Sequence, residues 1–169
     1  DANFDASTLT AANVSLNTTG SATGAVSLAG SGTSYTVTVS AITGDGTIAI
    51  TIAAATASDL AGNAAPAATS ATFTVDNSVP APTISTPSSS FSRTGPVTYT
   101  VTYSDANFSA STLAVGNIAL NTTGTANGTV GVSGTGNTRT VTISGTTGAG
   151  TLGISIAAGT ATDVVGNSA

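Results

Sequence analysis

The chain has 169 residues and a net charge of −5, from two arginines against seven aspartates, with no Lys, Glu, Gln, His, Cys, Met or Trp. No basic patch exists to neutralise a run of phosphates, which excludes nucleic acid and argues equally against anionic lipid surfaces. Mean hydropathy is positive, yet Thr, Ser and Gly break every apolar run far short of the ~20 residues that a membrane-spanning helix needs. Disorder is disfavoured too, because Val, Ile, Leu and Tyr recur throughout.

Short runs of alternating polarity, separated by Gly, Asn, Asp and Pro, predict strands rather than helices. In chain order, ATFTV at 71–75 places Phe73 and Val75 inward, and 83–85 is a short strand. VTYTVTY at 97–103 puts Val97, Tyr99, Val101 and Tyr103 on one face and threonines on the other. Short strands at 117–120 and 129–132 flank an NTTG turn. RTVTIS at 139–144 points Val141 and Ile143 inward, and TLGISI at 151–156 does the same with Leu152, Ile154 and Ile156. One apolar and one threonine-rich face per strand is what a two-sheet sandwich requires, since each sheet buries a single side. Seven strands in about 100 residues match an immunoglobulin-like β-sandwich in count and size. With no cysteine pair or tryptophan, the expected core rests on aliphatics plus Tyr99, Tyr103, Phe108 and Phe73.

The chain also repeats itself. DANFDASTL from Asp1 returns as DANFSASTL from Asp105, LNTTG from Leu16 returns from Leu120, and TASDLAGNAA from Thr56 returns as TATDVVGNSA from Thr160. The offset is 104 residues throughout, and about 37 of 65 overlapping positions are identical. The expected organisation is two incomplete copies of a 104-residue unit: residues 1–78 without their N-terminal strands, and 79–169 without their C-terminal strand. A folded unit is expected to begin near Val79, run past Ala169 and finish on an ATFTVDN-like strand, with an export leader upstream. That phase fits a segment of a longer array; the other arrangement it allows is subunits that complete each other's sheets by donating strands.

The stretches PVTYTVTYSDANFSASTL, LNTTGTANGTV and TRTVTISGTTGAGTLGISIAAGTATDVVGN, with the TVDNSVPAPTIS linker, resemble bacterial Ig-like tandem repeats. The resemblance covers essentially the whole chain. It implies a structural module of a large surface adhesin or other long exported protein: a stalk, spacer or extracellular filament at the bacterial cell surface. It implies neighbouring repeats, or other copies in a filament, as partners. Many such arrays bind calcium where domains meet.

An Ig-like sandwich brings the loops after its second and sixth strands to the end where the chain enters. Asp76 on the incoming linker, Asp105, Asn107, Asp163 and Asn167 are therefore expected to converge there, and calcium takes six to eight oxygens of these kinds. Asp1, Asp59 and Asn63 form the corresponding half-site. Acids gathered at one end repel unless a cation is bound. The same Asp-x-x-Gly-Asn run is equally good turn chemistry, since Asp bonds back to the backbone and Gly or Asn accepts positive φ. Both readings stand at this point.

The Gly44–Gly46 and Gly148–Gly150 segments lack the lysine of a phosphate loop and are expected to be hairpin turns. Four N-x-S/T sequons, at Asn13, Asn17, Asn121 and Asn127, are what an Asn-, Ser- and Thr-rich chain yields by chance. No His or Lys is present to activate a Ser or Thr hydroxyl, so no enzymatic role is expected. The rival function is a module that binds glycans or host surfaces directly. It finds little support, because most Tyr and Phe fall at inward positions, while Tyr35, replaced by Arg139 in the other copy, reads as outward-facing. The Pro-containing linker at 78–87 is expected to limit bending between units.

Overall fold

A computed structural model describes residues 2–169. The chain divides into two compact units, Asp1–Asn77 and Ser78–Ala169. Both are built from antiparallel strands, apart from two three-residue 3-10 turns, Ala11–Asn13 and Val115–Asn117. Among the described residues no helix is long and apolar enough to cross a membrane.

The first unit holds β1 (Phe4–Ser7), β2 (Val14–Thr18), β3 (Thr23–Ser31), β4 (Ser34–Thr43), β5 (Gly46–Ile52), β6 (Ala57–Asp59), β7 (Ala68–Thr69) and β8 (Phe73–Val75). β5 is its centre. One edge of β5 pairs with β2, from Val14↔Ile52 to Thr18↔Ile48. Its other edge takes β7 and then β8, the latter through Gly46↔Val75, Thr47↔Thr74 and Ile48↔Phe73. β3 and β4 form a long hairpin, and β1 pairs with β6. The buried cluster is small: Ala22, Ile48 and Val75, with Leu16 packed against it.

The second unit holds β9 (Ala81–Ile84), β10 (Val97–Ser104), β11 (Phe108–Ser111), β12 (Ile118–Thr122), β13 (Asn127–Ser133), β14 (Thr138–Thr147), β15 (Leu152–Ile156) and β16 (Ala161–Asp163). A four-stranded sheet runs β13-β14-β10-β9, with β11-β16 and β12-β15 as two further pairs. The period-two pattern is realised in β10, where Val97, Tyr99, Val101 and Tyr103 are buried and Thr100 is exposed. They join Val141 and Ile143 of β14, Leu113 and Ala161 in one core. Ile118 and Leu120 of β12 and Leu152, Ile154 and Ile156 of β15 pack against that core from the other layer. Two layers closing over alternate apolar residues fit a β-sandwich, with each buried aliphatic or aromatic side chain contributing about 1.5–3 kcal/mol.

Strand pairing repeats at the sequence offset. Phe4↔Asp59, Ala6↔Ser58 and Ser7↔Ala57, with a register shift after the first pair, return as Phe108↔Asp163, Ala110↔Thr162 and Ser111↔Ala161 with the same shift.

Several expectations need correction. Phe73 is 44% exposed rather than inward, although Val75 beside it is buried. In the second unit Tyr99 reaches β15, its hydroxyl donating to Leu152 O at 3.3 Å. The first unit has no β10-like strand among its described residues to lay a ring over β8. The 44–46 and 148–150 segments are not hairpin turns: β4 and β5 do not pair, nor do β14 and β15, so each segment carries the chain from one sheet to another. Their glycines are required there. A Cβ at Gly148 or Gly150 would run into Thr125 O or Thr123 O, and both sit at positive φ. The short strand read at 83–85 forms at Ala81–Ile84, an edge strand on β10, an allowed place for Pro82.

Position 35/139 does not face outward. Tyr35 and Arg139 are half-buried, and the Arg139 guanidinium donates to Ser111 O at 3.1 Å and Leu113 O at 2.8 Å. Finally, Asn117 belongs to a 3-10 turn rather than a strand, its Oδ1 accepting from Ala114 N at 2.9 Å.

Candidate functional site

In the second unit, Ser104 at the end of β10 pairs with Ala81 at the start of β9, so β10 finishes where the chain enters the unit. The chain then turns sharply. Asp105 Oδ1 accepts from Asn107 N at 2.7 Å, an Asx turn. β11 starts at Phe108, whose pairing partner is Asp163, the last residue of β16. A backbone bond from Val164 N to Asn107 O at 3.0 Å closes the same corner. Two adjacent turns are thereby held side by side, and the Asp105 and Asp163 carboxylates bring oxygens to within 4.8 Å of each other.

Asp163 is buried. Its Oδ1 accepts three backbone N–H groups: Val165 at 2.9 Å, Gly166 at 2.7 Å and Asn167 at 2.8 Å. Its Oδ2 accepts from Asn167 Nδ2 at 2.7 Å. Gly166 supplies the positive φ of +97° that this loop needs. Burial pushes the Asp163 carboxyl up, but the Asn167 side chain and the three N–H donors outweigh it and hold the group below its ordinary value. Asp59 repeats the pattern, accepting from Ala61 N at 2.9 Å, Asn63 N at 2.8 Å and Asn63 Nδ2 at 2.8 Å. Its carboxyl is also lowered, chiefly by the Asn63 side chain.

The turn reading of Asp-x-x-Gly-Asn is thus realised in both units. Asp105, Asn107, Asp163 and Asn167 come together in the second; in the first, Asp59 and Asn63 bond directly, and Asp1 lies outside the described residues. Asp76 follows β8 in the first unit. Sequence reasoning missed what holds the residue after it: Asn77 N donates to Asp45 Oδ1 at 2.7 Å and Asn77 Nδ2 to Gly44 O at 2.6 Å, tying the end of that unit to its β4–β5 connection. The available signal was that Asp45 becomes Ala149 in the other copy, a departure from an otherwise shared Gly-x-Gly.

No family model, curated protein or solved structure matches this chain. The chemistry of the corner must therefore be read from its own atoms.

A calcium ion with oxygens at ~2.3–2.6 Å spans opposite ligands up to about 5 Å apart, so the Asp105–Asp163 spacing fits one ion between them. The donor set is all hard oxygen, which suits calcium or magnesium and not a thiolate-seeking metal. The chain has only two cations to offset these acids, and Arg139 is committed to the carbonyls of Ser111 and Leu113.

Proposed function

We propose that this chain is a structural segment of a long exported bacterial surface protein, a pair of Ig-like sandwich repeats serving as stalk, spacer or extracellular filament. The observation that carries the reading is the strand register that recurs after 104 residues, with the same register shift and the same Asp-centred turn. A chain made of one mechanical module in series gains length without new folding solutions. The reading extends to a divalent cation, calcium by donor chemistry, held by Asp105 and Asp163 at the end where the chain enters the second unit. In this proposal Asn107 and Asn167 orient the two carboxylates.

Electron micrographs of the assembly that carries these units test the mechanical role. Rods or fibres with a regular axial repeat are expected; a compact particle with no repeat along it overturns the reading.

A further inference from the structure

β13 opens with Asn127, and the Asn-Gly step that it makes with Gly128 occurs nowhere else in the sequence. Gly128 is required by packing. A Cβ there would stand 2.8 Å from Ile143 Cγ2 and 3.3 Å from Ser144 O. Ile143 is 1% exposed and has no room to retreat. The first unit has the same need at Gly24, where a Cβ would meet Val39 Cγ1 at 2.9 Å, but the residue before it is Thr23. The second unit therefore sets a side-chain amide ahead of the required glycine, and the first does not. Gly128 also falls in a bulge: Asn127 pairs with Thr147 and Thr129 with Ser144, so Gly145 and Thr146 stand opposite one residue. The Gly128 N–H donates to Asn127 Oδ1 at 2.8 Å, which brings the backbone nitrogen beside the side-chain carbonyl carbon, Cγ. Asn127 is exposed, and so is Thr23 in the unit where β8 is present, so this position is open to water in both copies.

We propose that Asn127 is an autocatalytic modification site, which cyclises onto Gly128 and ends as a mixture of aspartate and isoaspartate. Gly128 N gives its proton to water and attacks Asn127 Cγ. Nδ2 takes up a proton and leaves as ammonia, and a five-membered succinimide closes. Water then opens the ring. Cleavage between N and Cγ gives aspartate, and cleavage between N and the Asn127 backbone carbonyl carbon gives isoaspartate. Each conversion consumes one water, needs no other reactant, and adds one carboxylate, taking the net charge from −5 to −6. Glycine favours ring closure because it has no Cβ to crowd the nitrogen and the widest backbone freedom. In isoaspartate the main chain of β13 runs through Cβ and Cγ, which lengthens the bulge. Competing sites are held back. Asn77 and Asn167 precede serine, but their Nδ2 atoms are engaged, on Gly44 O at 2.6 Å and Asp163 Oδ2 at 2.7 Å. Asn17 and Asn121 precede threonine, whose branched Cβ crowds the attacking nitrogen. Asp45 precedes Gly46 but offers a carboxylate, a poorer electrophile, whose Oδ1 accepts from Asn77 N at 2.7 Å.

The test ages the full 169-residue chain, folded, in mildly alkaline buffer and follows it by mass spectrometry. Trypsin, with only Arg93 and Arg139 to cut after, isolates Asn127 in a fragment of residues 94–139. Conversion at Asn127 is expected at least about tenfold faster than at Asn107, Asn117, Asn121 or Asn137 of the same fragment. Fragmentation that cleaves the isoaspartyl backbone should show isoaspartate as well as aspartate at 127. Asn127→Thr, which restores the residue of the first unit, should abolish the acidic species on isoelectric focusing and leave melting unchanged. Three results overturn the proposal. One is an intact Asn127 in the folded chain while a free TANGTV peptide of residues 125–130 converts, which would mean that the strand protects it. The second is aspartate without isoaspartate, the mark of direct hydrolysis. The third is an acidic species that persists in Asn127→Thr.

Discussion

The Tyr103 hydroxyl donates to Thr160 Oγ1 at 2.7 Å, and both side chains are almost wholly buried. The bond links β10, in the four-stranded sheet, to the segment leading into β16, while the Tyr103 ring stacks on Phe108 at 6.3 Å between centroids. One side chain therefore joins the core to the corner where Asp163 lies. Tyr103→Phe removes the bond and keeps the ring, so a loss of about 1 kcal/mol is expected in urea unfolding. Tyr103→Ala also opens a cavity and should cost about 3–5 kcal/mol.

Asp163 is held below the ordinary carboxylate value of 3.8 in the folded chain, as is Asp59. Each group therefore binds its proton more readily when unfolded. The stability it contributes is complete above that value and is lost as pH falls through the lower, folded one. Melting temperature followed between about pH 6 and pH 2 should drop most steeply below 3.8. In Asp163→Ala three backbone N–H groups lose their acceptor, so melting near neutrality should fall by roughly 5–10 °C and the acid-dependent drop should be shallower. A pH profile identical to that of the unchanged chain would contradict the turn's electrostatic role.

Under the calcium proposal, melting in calcium should exceed melting in chelator, by about 1.4 kcal/mol of stability at a tenfold excess over Kd. Asp105→Asn should shrink that rise more than it alters stability in chelator, because Asp105 accepts a single hydrogen bond, from Asn107 N. Calorimetry showing the same melting with and without calcium removes the metal from the reading.

β14 is paired on both edges, by β13 and β10, and its Val141 and Ile143 are 0% and 1% exposed. β4, its counterpart, pairs only with β3 among the described residues, and Val37 and Val39 are half-buried. Open edges and thin cores sit at the low end of local stability. Amide exchange across residues 35–39 is expected to be at least about tenfold faster than across 139–143. Equal protection would mean that a partner strand covers β4 in solution.

Much of the strand pattern was legible because it needs only local alternation. Val97 to Tyr103 reads inward–outward in one dimension and folds that way. Phe73 reads the same and fails, because its burial depends on a facing layer that no alternation of its own encodes. Arg139 failed in the opposite sense: a charged residue replacing Tyr35 looks solvent-facing, yet two carbonyls on other segments, Ser111 O and Leu113 O, receive it. The Gly-x-Gly connections were read as hairpins because glycine announces a turn and not which sheet the chain enters next. At the candidate site, the Asp-x-x-Gly-Asn turn was visible as residue types at fixed spacing, since its bonds lie within five residues. That Asp105 stands beside Asp163 was not, because the pairing of Phe108 with Asp163 joins segments far apart in the chain.

By itself the sequence determined the period-two strands, the 104-residue self-similarity and the absence of His, Lys and Cys, all properties of composition and residue order. Tertiary structure decided which strand edges are filled and which stand open, and which carboxylates meet. Those outcomes depend on backbone hydrogen bonding and packing between distant segments, and no short window of residues carries that information.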